Sequence, residues 1–178
     1  MKLLLLASGS GSLAQAVIDA GFEVLAVASD NPNAGVLSRA ADAGIENKVI
    51  EYRTPRQTWN EALIDYVASK DPDLVVSVGF MRILSADFLD KFKVINSHPA
   101  LLPNFPGAHA VRDALLAGVS ETGCTVHWVD EGVDTGEIIA QAKVEIEAGD
   151  NEATLHERIK IVERKLIVET LRELGDRL

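Results

Sequence analysis

The sequence predicts an α/β protein built on a doubly wound, mostly parallel sheet with an antiparallel strand pair near one edge. Three observations lead there. The runs Leu3–Leu6, Val24–Ala28 and Leu74–Val78 are apolar without alternation, which is the pattern of strands covered on both faces. They alternate with stretches whose apolar residues recur at helical spacing. After residue 118 that alternation stops, and two longer strand-like runs flank an acidic turn.

Taken in order, Leu3–Leu6 forms the first strand and a Gly/Ser loop leads into an amphipathic helix over Leu13–Ala20. Val24–Ala28 is the second strand, closing on Ser29 and Asp30. A helix over 34–43 is stopped by Gly44, and Lys48–Ile50 makes a short third strand. Pro55–Lys70 is helical, with Pro near the first turn and Trp59, Leu63, Tyr66 and Val67 at helical spacing. Leu74–Val78 and Phe92–Ser97 are the fourth and fifth strands, and His109 stands at a further helix start. Thr122–Val129 and Glu137–Ile146 pair around the turn V-D-E-G-V-D-T-G. Asn151 or Thr154 caps a final helix that reaches about Leu174.

The chain has 178 residues, 47% of them apolar, so one domain spanning 1–178 is expected. A net charge of −10 argues against a nucleic-acid or anionic-membrane surface, because such surfaces need an excess of Lys and Arg. A small anionic ligand held by backbone N–H groups stays compatible. One cysteine, Cys124, excludes a disulfide framework and reads as a small core residue. The opening M-K-L-L-L-L-A-S-G-S is too short for a secretory signal, and no stretch is long and apolar enough for a membrane span. A cytoplasmic protein is expected.

Three clusters can carry chemistry. In A-S-G-S-G-S-L-A, residues 7–14, glycines let the chain turn sharply before a helix N-terminus whose N–H groups lack partners. A plain tight turn, a phosphate site and a dinucleotide site all fit; the last matches G-x-G-x-x-A with Asp30 about twenty residues on. The second cluster is V-I-N-S-H-P-A-L-L-P-N-F-P, residues 94–106. Side chains alternate along a strand, so Asn96 and His98 share a side that Ser97 does not. An amide can donate to a developing oxyanion and an imidazole can move a proton near neutrality, although both can also merely satisfy strand-end carbonyls. Pro99, Pro103 and Pro106 stiffen the backbone beyond the strand end. The third cluster is the turn with Asp130, Glu131 and Asp134, either solvated or placing one carboxylate against His98 to orient it. His127 reads as structural within its strand, and His156 as a surface residue. No further ligand cluster appears, so no metal is expected.

Together, S-G-S-G-S at 8–12, G-F-M-R-I-L at 79–84, N-S-H-P-A-L-L-P-N-F-P-G at 96–107 and D-E-G-V-D-T-G at 130–136 resemble the phosphoribosylglycinamide formyltransferases. The resemblance runs from residue 3 to about 170. It implies a Rossmann-like formyltransferase fold and transfer of a formyl group from 10-formyltetrahydrofolate to glycinamide ribonucleotide in purine synthesis. It implies that Gly9, Ser10, Gly11, Ser12 and Leu13 grip the ribonucleotide phosphate, with Pro99 and Glu163 as further substrate contacts. Met81, Arg82, Ile83, Leu84, Asp130, Glu131 and Val133 would line the folate pocket. Asn96, His98 and Asp134 would be the catalytic trio. The family loop continues Gly-Ser-Asn where this chain has Leu13, so an amide contact is lost there. The implied partners are these two small molecules, in a monomer or homodimer. A deformylase or a methionyl-tRNA formyltransferase shares the folate chemistry, but members of those branches usually carry additional domains.

Overall fold

The structure is a computed structural model that describes residues 1–176. Its strands form a seven-stranded sheet in the order β3-β2-β1-β4-β5-β6-β7. By their contacts the residues fall into two compact units, Met1–Ile95 and a second beginning at Asn96.

The first unit holds β1 (Lys2–Leu6), α1 (Ser12–Asp19), β2 (Glu23–Ser29), α2 (Gly35–Asp42), β3 (Glu46–Val49), α3 (Arg56–Lys70), β4 (Leu74–Ser77) and α4 (Ala86–Leu89). β1 pairs in parallel with both β2 and β4, and β2 with β3. Leu3, Leu4, Leu5 and Leu6 are wholly buried, which is why that run shows no alternation. Each such leucine stabilises the fold by roughly 1.5–3 kcal/mol. β3 begins at Glu46, two residues before the expected start, and its sequence E-N-K-V is largely exposed. An edge strand needs no apolar run, so the signal there was weak. The short α4 was not expected; Ser85 caps it by accepting the Phe88 N–H.

β5 (Val94–His98) crosses the boundary between the units, its apolar start in the first and its polar end in the second. The second unit continues with α5 (Ala110–Ala117), β6 (Glu121–Trp128), β7 (Ile138–Glu145) and α6 (Glu152–Gly175). β6 and β7 form the expected antiparallel pair. α6 starts in a full capping box, Asn151 accepting from Thr154 N–H and Thr154 Oγ1 from Asn151 N–H, so both expected caps act together. Its buried stripe includes Leu155, Ile159, Ile167 and Leu171, with Glu163 on the same face. Cys124 is wholly buried, and burial pushes its thiol up to about 12, with Glu163 adding to the rise; it is a core side chain. Among the described residues no helix is long and apolar enough to cross a membrane.

Candidate active site

In the second unit β5 ends in Asn96, Ser97 and His98, and strand alternation sends Asn96 and His98 to one face. His98 is only 4% exposed. Its Nε2 lies 2.8 Å from the Phe105 carbonyl oxygen, which can only accept, so Nε2 carries a hydrogen. Its Nδ1 faces Asp134 Oδ2 at 3.3 Å. Both ring nitrogens therefore meet oxygen acceptors. The 3.3 Å contact is longer than a tight charge-assisted bond of about 2.7–2.9 Å. That end of the ring is where a substrate atom or a water can enter.

The loop that brings Phe105 to His98 is held from below. Ala100 N–H donates to His98 O across Pro99, closing a tight turn. The fully buried Thr125 hydroxyl donates to Ala100 O at 2.6 Å and accepts from Leu102 N–H. Gln141 Nε2 donates to Leu102 O at 2.8 Å. Phe105 sits at φ 54°, a backbone region that a bulky residue rarely adopts, which marks a conformation imposed by its surroundings.

Asp134 sits at φ 55° in the loop between β6 and β7, where aspartate is one of the few side chains that settles readily. Gly107 N–H donates to its Oδ2 at 2.8 Å. Its Oδ1 lies 3.5 Å from both Asn96 Nδ2 and His127 Nε2. Burial raises this carboxyl, but the His127 and Gly107 hydrogen bonds and the charge of the two imidazoles outweigh it and hold it below its ordinary value. Gly136 is fixed by close approach, because a Cβ there would stand 1.7 Å from the Trp128 carbonyl oxygen. Asp130 closes the loop locally, accepting from Gly132 N–H and the Thr135 hydroxyl.

His127 meets the same group. It is 2% exposed, its Nδ1 is bound to the Trp128 carbonyl, and its Nε2 lies 3.2 Å from Asn96 Nδ2. Its structural contacts place it against Asn96 and Asp134, beside His98. Only its strand alternation could have hinted at this. His109 stands exposed at the start of α5 with no side-chain cap, and His156 is half-buried on α6, not a surface residue. Burial disfavours the charged form of His156.

Glu163 lies elsewhere. Its Oε1 accepts from the Ser97 hydroxyl at 2.8 Å, and Ser97 points away from the face of Asn96 and His98. The carboxyl is 4% exposed, and burial pushes it up to about 7 against the opposing Ser97 hydrogen bond. Val133, by contrast, is 48% exposed beside Asp134, an apolar side chain without a covering partner in its own loop.

In the first unit Gly11 is the N-cap of α1 at φ 77°, and a Cβ there would meet Val36 Cβ at 2.6 Å. This glycine is required by packing as well as by conformation. Gly9 differs: nothing lies within 4 Å of its would-be Cβ. The N–H groups of Ser12, Leu13 and Ala14 open the helix with no carbonyl four residues back to accept them. Leu13 is 8% exposed and its side chain belongs to the core, so only its backbone is available to a ligand. Arg39, which sequence reasoning did not single out, donates Nε–H to the Ser10 carbonyl at 2.7 Å and places a cation beside the loop. In the segment 81–84, Met81 and Ile83 are 61% and 54% exposed, whereas Leu84 is buried. Arg82 is turned to Asp30, Nε to Oδ2 at 2.5 Å. Asp30 Oδ1 accepts from the Ser8 hydroxyl. With both oxygens occupied and the side chain 2% exposed, Asp30 does not present the free carboxylate that a dinucleotide ribose would require.

Comparison with known proteins finds relatives in both sequence and structure. Residues 1–171 match the formyl transferase family. A phosphoribosylglycinamide formyltransferase of Mycobacterium tuberculosis (strain H37Rv) is 45% identical over 98% of this chain and 85% of its own length. The trifunctional purine biosynthetic protein adenosine-3 of Homo sapiens is 41% identical over 93% of this chain, which corresponds to 17% of that longer protein. Among solved structures, phosphoribosylglycinamide formyltransferase from Streptococcus pneumoniae TIGR4 superposes with a TM-score of 0.93 at 37% identity, covering 98% of both chains. Glycinamide ribonucleotide transformylase 1 from Symbiobacterium toebii gives 0.95 at 35%, covering 99% of this chain and 88% of that one.

Proposed function

The chain belongs to the formyl transferase family, and from that membership we propose that it moves the formyl group of 10-formyltetrahydrofolate onto the amine of glycinamide ribonucleotide, a step of purine biosynthesis. The observation that carries the reading is the meeting of an amide, two imidazoles and a carboxylate at the end of β5.

The chemistry follows from that cluster. The acceptor amine has a pKa of about 8, so a usable fraction is neutral at pH 7. The amine nitrogen attacks the formyl carbon and the carbonyl oxygen becomes an oxyanion. Asn96 Nδ2, loosely tied to Asp134 at 3.5 Å, turns one N–H to that oxygen, a contribution of about 10²–10³ in rate. His98, with Nε2 anchored on Phe105, stabilises the same charge from its Nδ1 end. Asp134 stays ionised and orients a water, through which the amine proton passes to the departing folate nitrogen as its bond to carbon breaks. His127 holds the Asn96 amide in place. Orientation of the two substrates contributes several further powers of ten.

The loop Gly9–Leu13 holds the ribonucleotide phosphate through backbone N–H groups, and Pro99 and Glu163 are further contacts of the ribonucleotide itself, Glu163 only once it parts from the Ser97 hydroxyl. Met81, Arg82, Ile83 and Leu84 are folate contacts on this reading, and so are Asp130, Glu131 and Val133; of these Met81, Ile83 and Val133 are exposed apolar side chains. Both partners are small molecules, the working compartment is the cytoplasm, and the protein functions as one formyltransferase domain. The test monitors loss of 10-formyltetrahydrofolate by absorbance with glycinamide ribonucleotide, water or initiator tRNA as acceptor. Turnover only with the ribonucleotide is expected; equal turnover with water would replace the reading by a deformylase.

A further inference from the structure

Asp30 has no part in the proposed chemistry, yet it is among the most heavily used side chains of the first unit. Its side chain is 2% exposed, and each oxygen holds a different loop. Oδ1 accepts from the Ser8 hydroxyl, at the start of the phosphate loop, at 2.5 Å. Oδ2 accepts from Arg82 Nε at 2.5 Å, in the segment assigned to folate. The Ser8 hydroxyl is used twice, since it also accepts from Met81 N–H at 2.9 Å, and Ser8 N–H donates to Gly79 O at 3.0 Å. The Arg82 guanidinium lies over the Tyr52 ring at 4.3 Å, and Tyr52 N–H donates to the Asp30 carbonyl. Tyr52 meets Trp59 edge-on at 5.2 Å, and Trp59 stacks against Phe80.

We infer that Ser8 and Asp30 are positioning residues for the folate substrate: they form a latch that fixes the backbone of Met81 and the direction of the Arg82 side chain. The physical basis is the difference between one face of the segment and the other. Met81 and Ile83 turn outward and have no covering partner in their own segment, so their side chains cannot set the segment's position. Toward Met81 and Arg82 its fixed points are the Gly79 carbonyl, the Met81 N–H and the Arg82 Nε, all bound by Ser8 or Asp30, while the far end is held separately by Arg56 Nη2 on the Ile83 carbonyl and by buried Leu84. A buried carboxylate with a hydrogen bond to each loop is a stronger tie than a neutral amide in its place, and Asn at 30 would leave Arg82 held only by the Tyr52 ring and an uncharged contact. Loss of the latch loosens a binding surface without touching the group that reacts, so it acts on substrate affinity and spares the chemical step.

This inference rests on the formyl-transfer reading, and the experiment separates the two. Steady-state kinetics of Asp30→Asn, Ser8→Ala, Arg82→Gln and the Asp30→Asn/Arg82→Gln double variant would be compared with wild type, each substrate being varied in turn. Asp30→Asn is expected to raise the folate KM about tenfold while kcat and the ribonucleotide KM stay within about threefold. Ser8→Ala should move the same constant in the same direction by a smaller factor. The double variant should be no worse than the weaker of its two single variants, because both break one latch. Equal rises in both KM values, or an unchanged folate KM in folded Asp30→Asn and Ser8→Ala proteins, would overturn the latch. Wild type that fails to formylate glycinamide ribonucleotide would overturn the functional reading beneath it.

Discussion

Glu163→Gln tests how the second unit tolerates a carboxyl in the apolar stripe of α6. Folding raises this group from its ordinary 4.5 to about 7, burial being the main cause. The folded state therefore binds the proton more tightly than the unfolded chain. Its contribution to stability is fully present below the unfolded value and is lost as pH rises through the window from 4.5 to about 7. At about 1.36 kcal/mol for each tenfold change in proton affinity, the wild type gives up about 3 kcal/mol across that window. Gln mimics the neutral acid and its amide oxygen can still accept the Ser97 hydroxyl, now 2.8 Å from Glu163 Oε1. The two proteins should therefore be of similar stability near pH 4.5, with the variant ahead by about 3 kcal/mol at about pH 8. Urea unfolding at fixed temperature, repeated between about pH 4.5 and pH 8, reads the difference directly. Parallel stability curves for the two proteins over that range would refute the argument, since they would show that Glu163 titrates alike in both states.

Outcomes for four further variants follow from the geometry. Asn96→Ala should lower kcat by about 10²–10³ with native stability retained, and Asp134→Asn should do likewise. Asn is preferred to Ala at 134 because it accepts the φ of 55° without added strain; near-normal turnover of either variant removes that residue from the reaction. In the loop proposed to hold the phosphate, Gly9→Ala enters open space and should raise the ribonucleotide KM while leaving the unfolding midpoint within a degree or so, whereas Gly11→Ala drives a methyl into Val36 and should destabilise the fold itself by about 1–3 kcal/mol. Thermal unfolding beside kinetics distinguishes the two, and the reverse ranking would contradict the packing argument.

The strands and the larger helices were legible because their signals are local. Leu3–Leu6 declares a doubly covered strand by itself, and Asn151 with Thr154 declares a helix start within one turn. The same holds for the polar end of β5: alternation alone puts Asn96 and His98 together. The family resemblance added roles to those residues but not distances. β3 and α4 were blurred because an exposed edge strand and a single-turn helix impose little pattern on a sequence.

Tertiary packing alone settled the meetings of residues far apart in the chain. Asp134 stands between His98 and His127, Glu163 is set against Ser97, and the Asp30 that matched a dinucleotide pattern is closed off by Ser8 and Arg82. The physical reason is one of range. Helix and strand periodicity arise from backbone geometry over a few neighbours, so the order of residues is enough to dictate the α/β architecture and the chemistry offered at each loop. Whether a buried carboxylate finds an imidazole, a hydroxyl or a guanidinium depends on which loops the packed core brings within about 3 Å, and that no short stretch of sequence encodes.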